Sequence, residues 1–181
     1  MACNTNLNGI PKTCTSITGG VTELFIAPKE DFVSSTISTG EITALDLDNA
    51  PAEYYFRQGQ AMINIGSSID FSSSTTTFNN GVTVNLKGMD LAKRNELMAL
   101  VKGQQELIVI ARTDTGILWV FGLTEGEDGK KIGARVTEIT GESGQSRNDT
   151  NQFVLTIGQD EDKELPLVLD ETTFDGLFPI Q

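Results

Sequence analysis

The stretch GESGQSRNDTNQFVLTIG, from Gly141 to Gly158, groups residue types that could do chemistry. Ser143, Arg147 and Asp149 lie within a few positions of one another, and the sequence then becomes apolar. A nucleophile elbow needs the spacing G-x-S-x-G and a histidine as base, and this stretch has neither. We therefore interpret the cluster as a solvated loop between two strands, in which Arg147 and Asp149 make the turn or contact a partner.

The remaining candidates for chemistry are carboxylates and thiols. Asp46 and Asp48 lack the glycine and the closing glutamate of a calcium loop. The acids at 160–162 are neighbours in a turn-like context, whereas a glycosidase brings two carboxylates together across a cleft. Histidine is absent, and Cys3 and Cys14 are the only thiols, either reduced or paired with each other. The sequence predicts no catalytic centre, no cofactor and no metal site.

The charge excludes two classes of partner. A formal net charge of −12 and a pI of about 4.3 leave no basic excess to neutralise phosphates or to bind an anionic membrane. The acidity serves solubility and repulsion between copies, or it makes a surface along which DNA slides without sticking. No secretory signal and no apolar run of the ~18 residues needed for a membrane span is visible, so we expect folding in a cytoplasm and no membrane partner.

Alternating apolar residues predict a mainly β chain. The 181 residues suit a single domain of mainly antiparallel β-structure, with strand signals that begin at Gly20–Pro28. Residues 1–19 are expected to form an extended N-terminal arm, and residues 170–181 an extended C-terminal arm. The apolar side chains of the latter need something to cover them.

Two hairpins stand out. The segment ELIVIARTDTGILWVFG pairs two strands that are apolar on nearly every residue, so we expect the domain core to cover one face, and the helix or a neighbouring subunit to cover the other. A second, longer hairpin spans Ser67–Val84, with a polar tip. Asn80-Gly81 is read there as its turn.

One flanking helix is predicted at about residues 90–102. Asp90 is its expected N-cap, and Gly103 is the expected residue after its end. We expect Leu91, Leu97 and Val101 to face the sheet.

The second half of the chain resembles the tail tube proteins of tailed bacteriophages. The resemblance lies in the order of three features: the helix DLAKRNELMALVKG, the hairpin LIVIARTDTGILWVFG, and the run GARVTEITGESGQSRNDTNQFVLTIGQDEDKELPLVL. It covers roughly Ala61–Leu169. It implies an antiparallel β-sandwich or flattened barrel flanked by one helix. It also implies a virion protein, made in the bacterial cytoplasm, whose rings, commonly hexameric, stack into a tube that conducts DNA as non-sticking cargo.

The resemblance also implies that the long hairpin and the termini reach neighbouring subunits and other virion proteins. The predicted interface residues are Ser72, Ser73, Ser74, Thr75, Thr76, Thr77, Phe78, Asn79, Asn80, Arg147, Phe174, Leu177, Phe178 and Ile180. Alternatives are a connector, decoration or baseplate subunit, or the tube protein of a bacterial contractile injection system. A β-sandwich ligand-binding module is a further alternative, although Trp119 is the only tryptophan and lies in the most apolar hairpin.

Overall fold

The computed structural model describes residues 19–55, 60–70, 72, 75–125, 131–144, 149–162 and 165–177. Within them the chain is mainly β, as predicted. The strands are β1 (Val21–Pro28), β2 (Phe32–Ser38), β3 (Glu41–Leu47), β4 (Ala52–Tyr55), β5 (Ala61–Asp70), β6 (Thr75–Lys87), β7 (Leu107–Thr113), β8 (Leu118–Phe121), β9 (Thr124–Glu125), β10 (Lys131–Ile132), β11 (Arg135–Glu142), β12 (Gln152–Asp162) and β13 (Leu167–Leu169). The helices are α1 (Leu91–Gly103) and α2 (Glu171–Leu177).

A seven-stranded sheet has the order β2-β3-β13-β8-β7-β1-β4. All of its pairs are antiparallel except β13 with β3, which is parallel. Pro166 precedes β13 and by its type would suit an edge strand, but β13 lies between β3 and β8. Proline can precede an interior strand without losing a ladder hydrogen bond, since only residues within the strand need their N–H groups.

A four-stranded antiparallel sheet has the order β11-β12-β6-β5. Asn80 and Gly81 lie inside β6, opposite Gln159 and Gly158 of β12, so the prediction of a turn there is wrong. A Cβ atom on Gly81 would lie 2.6 Å from the backbone oxygen of Ile157. Glycine is therefore required by the close approach of two strands, and the hairpin reverses between Asp70 and Thr75.

The two sheets enclose the first core. Its buried residues come from both sheets and from α1, and they are Val21, Leu24, Ala61, Val82, Val84, Leu97, Leu107, Val109, Ala111, Phe121, Ala134, Leu155 and Ile157. Trp119 packs against this cluster. The arrangement is a β-sandwich with a flanking helix.

The second core lies on the other face of the seven-stranded sheet. It contains Phe25, Ala27, Ile42, Leu45, Ile108, Ile110, Leu118, Val120, Leu123, Leu167, Leu169 and Phe174. The β7–β8 hairpin is thus covered on both faces, as expected, but its second face is covered by the chain's own strands and by α2 rather than by a neighbouring subunit or α1. The expectation of an extended C-terminal arm is wrong for residues 171–177, which are helical.

Helix α1 begins and ends close to its predicted limits. The Asp90 side chain caps it by accepting a hydrogen bond from the backbone N–H of Lys93. Gln104, in a left-handed conformation, follows its last residue, Gly103. Only Leu97 is buried, whereas Leu91 is 70% and Val101 44% exposed, so the prediction that all three face the sheet is wrong for two of them.

Candidate functional site

The β5–β6 hairpin extends beyond the sheet that carries it. Strand β5 pairs with β6 along its whole length, from Ala61 opposite Val84 to Asp70 opposite Thr75. Strand β12 pairs with β6 only as far as Phe78. In the described part of the chain, the pairs beyond Phe78 therefore have no third strand beside them, and the hairpin projects as a two-stranded ribbon.

The apolar face of the first core continues along β5 to the projecting ribbon. Ile65, opposite Asn80, lies at the base of the ribbon beside the end of β12, and Ile69, opposite Thr76, lies in the ribbon. Side chains alternate along a strand, so Ile65 and Ile69 lie on the same side of β5 as Ala61 and Ile63, which pack in or against the first core. Ile65 is 45% and Ile69 58% exposed. Phe78, half-buried on β6, pairs with Ser67 on this face. An apolar surface of this kind, continuous with a core, is typical of a contact site for another protein.

The sheet edges differ in their protection. Strand β11 carries Arg135, Glu138 and Glu142, and β4 is only four residues long and carries Glu53. Charges and shortness discourage pairing with another chain. Strand β5 has no charged residue before Asp70, and β2 has none, so these two edges lack that protection.

The predicted interface residues of the hairpin differ in their exposure. Ser72, Thr76 and Asn79 are exposed, and Thr77 and Phe78 are half-buried. Thr75 pairs with Asp70 at the end of the ribbon. Asn80 is only 3% exposed within the chain. Its assignment to an exposed hairpin tip is wrong, because it lies inside β6, opposite Gln159 of β12.

The C-terminal predictions need a further correction. Phe174 is 5% exposed, and its ring meets the ring of Phe25 edge to face with centroids 4.8 Å apart. Its burial is provided by the chain's own second core, so its assignment to a subunit interface is wrong. Leu177 packs at the border of the same core. The other predicted interface residues, Ser73, Ser74, Arg147, Phe178 and Ile180, lie outside the described residues, as do Cys3, Cys14 and the predicted N-terminal arm up to residue 18.

The polar cluster that follows Gly141 lies where β11 turns back into β12. Its described residues, among them Glu142, Ser143 and Asp149, are exposed. This agrees with the interpretation of a solvated loop between two strands.

Within the described ranges, no three Asp, Glu, Cys or His side chains are grouped closely enough to hold a metal ion. No helix in those ranges is both long and apolar enough to cross a membrane.

Glu106 joins three segments of the chain. Its carboxylate accepts hydrogen bonds from Lys29 Nζ at 2.6 Å, from Arg135 Nη2 at 2.7 Å and from the backbone N–H of Gly133 at 3.3 Å. The bond from Lys29, with those from Arg135 and Gly133, lowers the pKa of Glu106 from its ordinary 4.5 to about 2. The partners are distant in sequence, and no local pattern indicates this junction.

A groove of about 540 Å³ lies beside β4 on the face of the seven-stranded sheet that carries α2. It is lined by Glu23, Phe25, Glu53, Tyr55, Arg112, Phe174 and Asp175. Arg112 lies 5.4 Å from the centre of the Phe174 ring and forms ion pairs with Glu23 at 3.1 Å and Glu171 at 3.0 Å. The Glu23 carboxylate raises the pKa of Arg112. Carboxylates outnumber cations in this groove, and Tyr55, one of its three aromatic residues, is 71% exposed.

Comparison of the chain with protein-family models, curated proteins and solved structures finds no match. The candidate site is defined by the chain's own geometry: a projecting ribbon with an apolar face, an uncharged edge on β5, and an acidic groove. Sequence patterns identify the hairpin. They do not show that Ile69 projects beyond the sheet, because that depends on where β12 stops.

Proposed function

We propose that this chain is a structural subunit that assembles with copies of itself into rings, which stack as the tail tube of a tailed bacteriophage and conduct its DNA. The observation that carries the proposal is the β5–β6 ribbon. It presents Ile69 to solvent, with the exposed Ile65 at its base, beside an uncharged strand edge. A lone domain gains nothing from such a surface, whereas a neighbouring copy covers it.

The energetics favour repeated contacts between copies. Ordering a polar hairpin tip costs about 1–2 kcal/mol per residue in backbone entropy. Burying the exposed remainder of Ile65 and Ile69 contributes about 1 kcal/mol each, and pairing along the β5 edge adds backbone hydrogen bonds. A closed ring repeats these contacts and leaves no edge unpaired, which distinguishes it from an open array.

Two further features support a tube rather than another assembly. The order of α1, the β7–β8 hairpin, β11, β12 and β13 is the order on which the resemblance to tail tube proteins rests. The net charge of −12 suits a conduit that DNA must leave without sticking. On this proposal the protein belongs to the virion, contacts other virion proteins, and needs no catalytic centre or cofactor.

The test compares the intact chain with a variant in which residues 68–77 are replaced by Asn-Gly. This closes the hairpin after the pair Ser67–Phe78 with a two-residue turn that favours hairpins. Electron microscopy and sedimentation velocity should show rings or tubes for the intact chain. The shortened variant should fold, as judged by circular dichroism, and stay monomeric.

A matched pair of double variants separates the apolar face of the ribbon from apolar exposure in general. Ile65→Ser with Ile69→Ser should prevent assembly. Val33→Ser with Ile37→Ser changes residues that are 50% and 38% exposed on the other uncharged edge, and it should leave assembly intact. Assembly of the shortened variant, or a monomeric intact chain at all concentrations, would contradict the proposal. Single rings without tubes would favour a connector or decoration subunit.

A further inference from the structure

Helix α1 carries a second exposed apolar surface, beside the face that packs on the first core. Leu91, Arg94, Met98 and Val101 follow one another at intervals of three and four residues and form one stripe, here called the α1 seam. Leu91 is 70%, Met98 37% and Val101 44% exposed. This spacing is the one by which helices pack against a partner.

The α1 seam is also basic, which is unusual for a chain of net charge −12. Arg94 lies in the seam and Lys102 lies beside it, both exposed. Neither forms an ion pair with a carboxylate in the described part of the chain. Lys93, by contrast, is paired with Asp90 at 2.7 Å. The seam therefore fits a partner surface that is acidic and partly apolar.

The groove beside β4 has this complementary character. Arg112 is already paired with Glu23 and Glu171, which leaves Glu53 and Asp175 without a cationic partner among the described ion pairs. The ring of Tyr55 is exposed. The hydrogen bond between its phenol and Glu53 is the main cause that raises the pKa of Tyr55. An aromatic ring flanked by carboxylates suits a Lys or Arg side chain and the apolar residues next to it.

The seam and the groove lie on opposite faces of the same sheet. Tyr54 pairs with Leu24 of the first core and interacts with Glu96 of α1, so its side of β4 is the side of the helix. Successive side chains of a strand point to opposite faces, which places Tyr55 on the other side, in the groove. One copy cannot place its own α1 seam in its own groove.

We propose that the α1 seam of one copy docks in the β4 groove of a second copy, with Arg94 and Lys102 facing Glu53 and Asp175. The contact is head to tail, so each copy offers one seam and one groove, and the interaction repeats from copy to copy. It rests on the proposed self-assembly and assigns that assembly a contact separate from the β5–β6 ribbon.

Charge exchange tests the pairing directly. Arg94→Glu with Lys102→Glu, and separately Glu53→Lys with Asp175→Lys, should each weaken association of the full chain at least about tenfold in sedimentation velocity, because each places like charges face to face. The chain with all four substitutions restores opposite charges and should return to within about threefold of the intact protein. Glu41→Lys with Glu142→Lys makes the same change in net charge as the groove variant and should have little effect.

The outcomes distinguish this contact from the proposed function. If rings or tubes form equally well in every variant, the contact is wrong while self-assembly stands. If both pairs of substitutions weaken association and the fourfold variant does not recover, the pairing is also wrong. If the intact chain never associates, both proposals fail. If a charge variant fails to fold, a photocrosslinking residue in place of Met98 tests the contact instead. It should crosslink α1 to a peptide of another copy that contains Tyr55 or Asp175. Crosslinks only to other segments would overturn the contact.

Discussion

At the scale of single residues, Glu106 shows how one carboxylate can hold distant segments together. It receives a charged hydrogen bond from Lys29, at the end of β1, and another from Arg135, at the start of β11. The backbone strengthens the same junction, since the N–H of Lys29 donates to the Glu106 carbonyl at 2.9 Å. The side chains are only partly buried, so solvent weakens each pair, but the pairs act on one group.

The first prediction concerns this junction. Glu106→Gln removes the charge and should lower the free energy of unfolding at pH 7 by about 1–2 kcal/mol, since hydrogen bonds to charged groups are the stronger kind. The pKa of Glu106 is lowered from 4.5 to about 2, so its stabilisation is fully present above pH 4.5 and is lost as the pH falls through about 2. The difference between the two proteins in urea unfolding should therefore shrink over that window. Glu41→Gln, at an exposed position, is the control, and a difference that stays constant down to pH 2 would contradict the assignment.

The residue types predicted interactions between neighbours in sequence well, such as the cap of α1. They predicted close contacts between distant segments poorly. Asp90 caps α1 as its sequence context predicts, because the cap depends on residues within one turn. Asn80-Gly81 has the composition of a turn, yet Gly81 is needed where the Ile157 carbonyl approaches β6. That approach comes from a strand far along the chain, and a local pattern contains no information about it.

At the scale of secondary-structure elements, α1 is attached to the domain by a narrow face. Leu97 enters the first core, and Leu100 packs at its border. Leu91 and Val101, which were predicted to share that face, lie in the α1 seam instead. A helix with apolar residues on two sides has two possible orientations by sequence alone, and the position of the sheet edge decides between them.

The second prediction follows from that orientation. Leu97→Ala should lower the free energy of unfolding by about 2–5 kcal/mol, because it removes a buried side chain and leaves a cavity. Leu91→Ala removes the same atoms from a side chain that is 70% exposed and should change the stability of the monomer by less than about 0.5 kcal/mol. Denaturant unfolding below the concentration of assembly measures both. Equal losses would mean that α1 is rotated from its place in this structure.

Elements formed by neighbours in sequence were predictable, and those fixed by distant pairing were not. The β7–β8 hairpin and β1 match their predictions because their strands have dense apolar patterns and clear turn signals. Helix α2 was missed: its seven residues become helical where Phe174 packs on Phe25. The position of β13 inside the sheet was missed as well, because its parallel partner β3 lies more than a hundred residues away.

At the scale of the whole molecule, the acidity and the contact surfaces act in opposite directions. A net charge of −12 makes copies repel one another, so the proposed self-assembly depends on local surfaces of the opposite character. The projecting ribbon is uncharged up to Asp70, and the α1 seam is basic. In the proposed assembly, attraction is concentrated at a few places on a repelling surface, which favours defined rings over random aggregates.

The last prediction concerns the cargo. Duplex DNA mixed with the assembled protein should stay in the supernatant after sedimentation of the tubes, at salt from about 50 to 200 mM, because no basic excess is present to release counterions. A variant with Glu138→Lys and Glu142→Lys, both exposed on β11, provides a matched comparison, since it adds cations to one strand and should increase any retention of DNA at low salt. Retention by the unaltered protein that falls steeply with salt would show a phosphate-binding surface and would contradict a conduit that releases DNA freely. A passive channel requires both tube formation and the absence of DNA retention. A wall that binds each phosphate even weakly would hold a long duplex, because many contacts act at once.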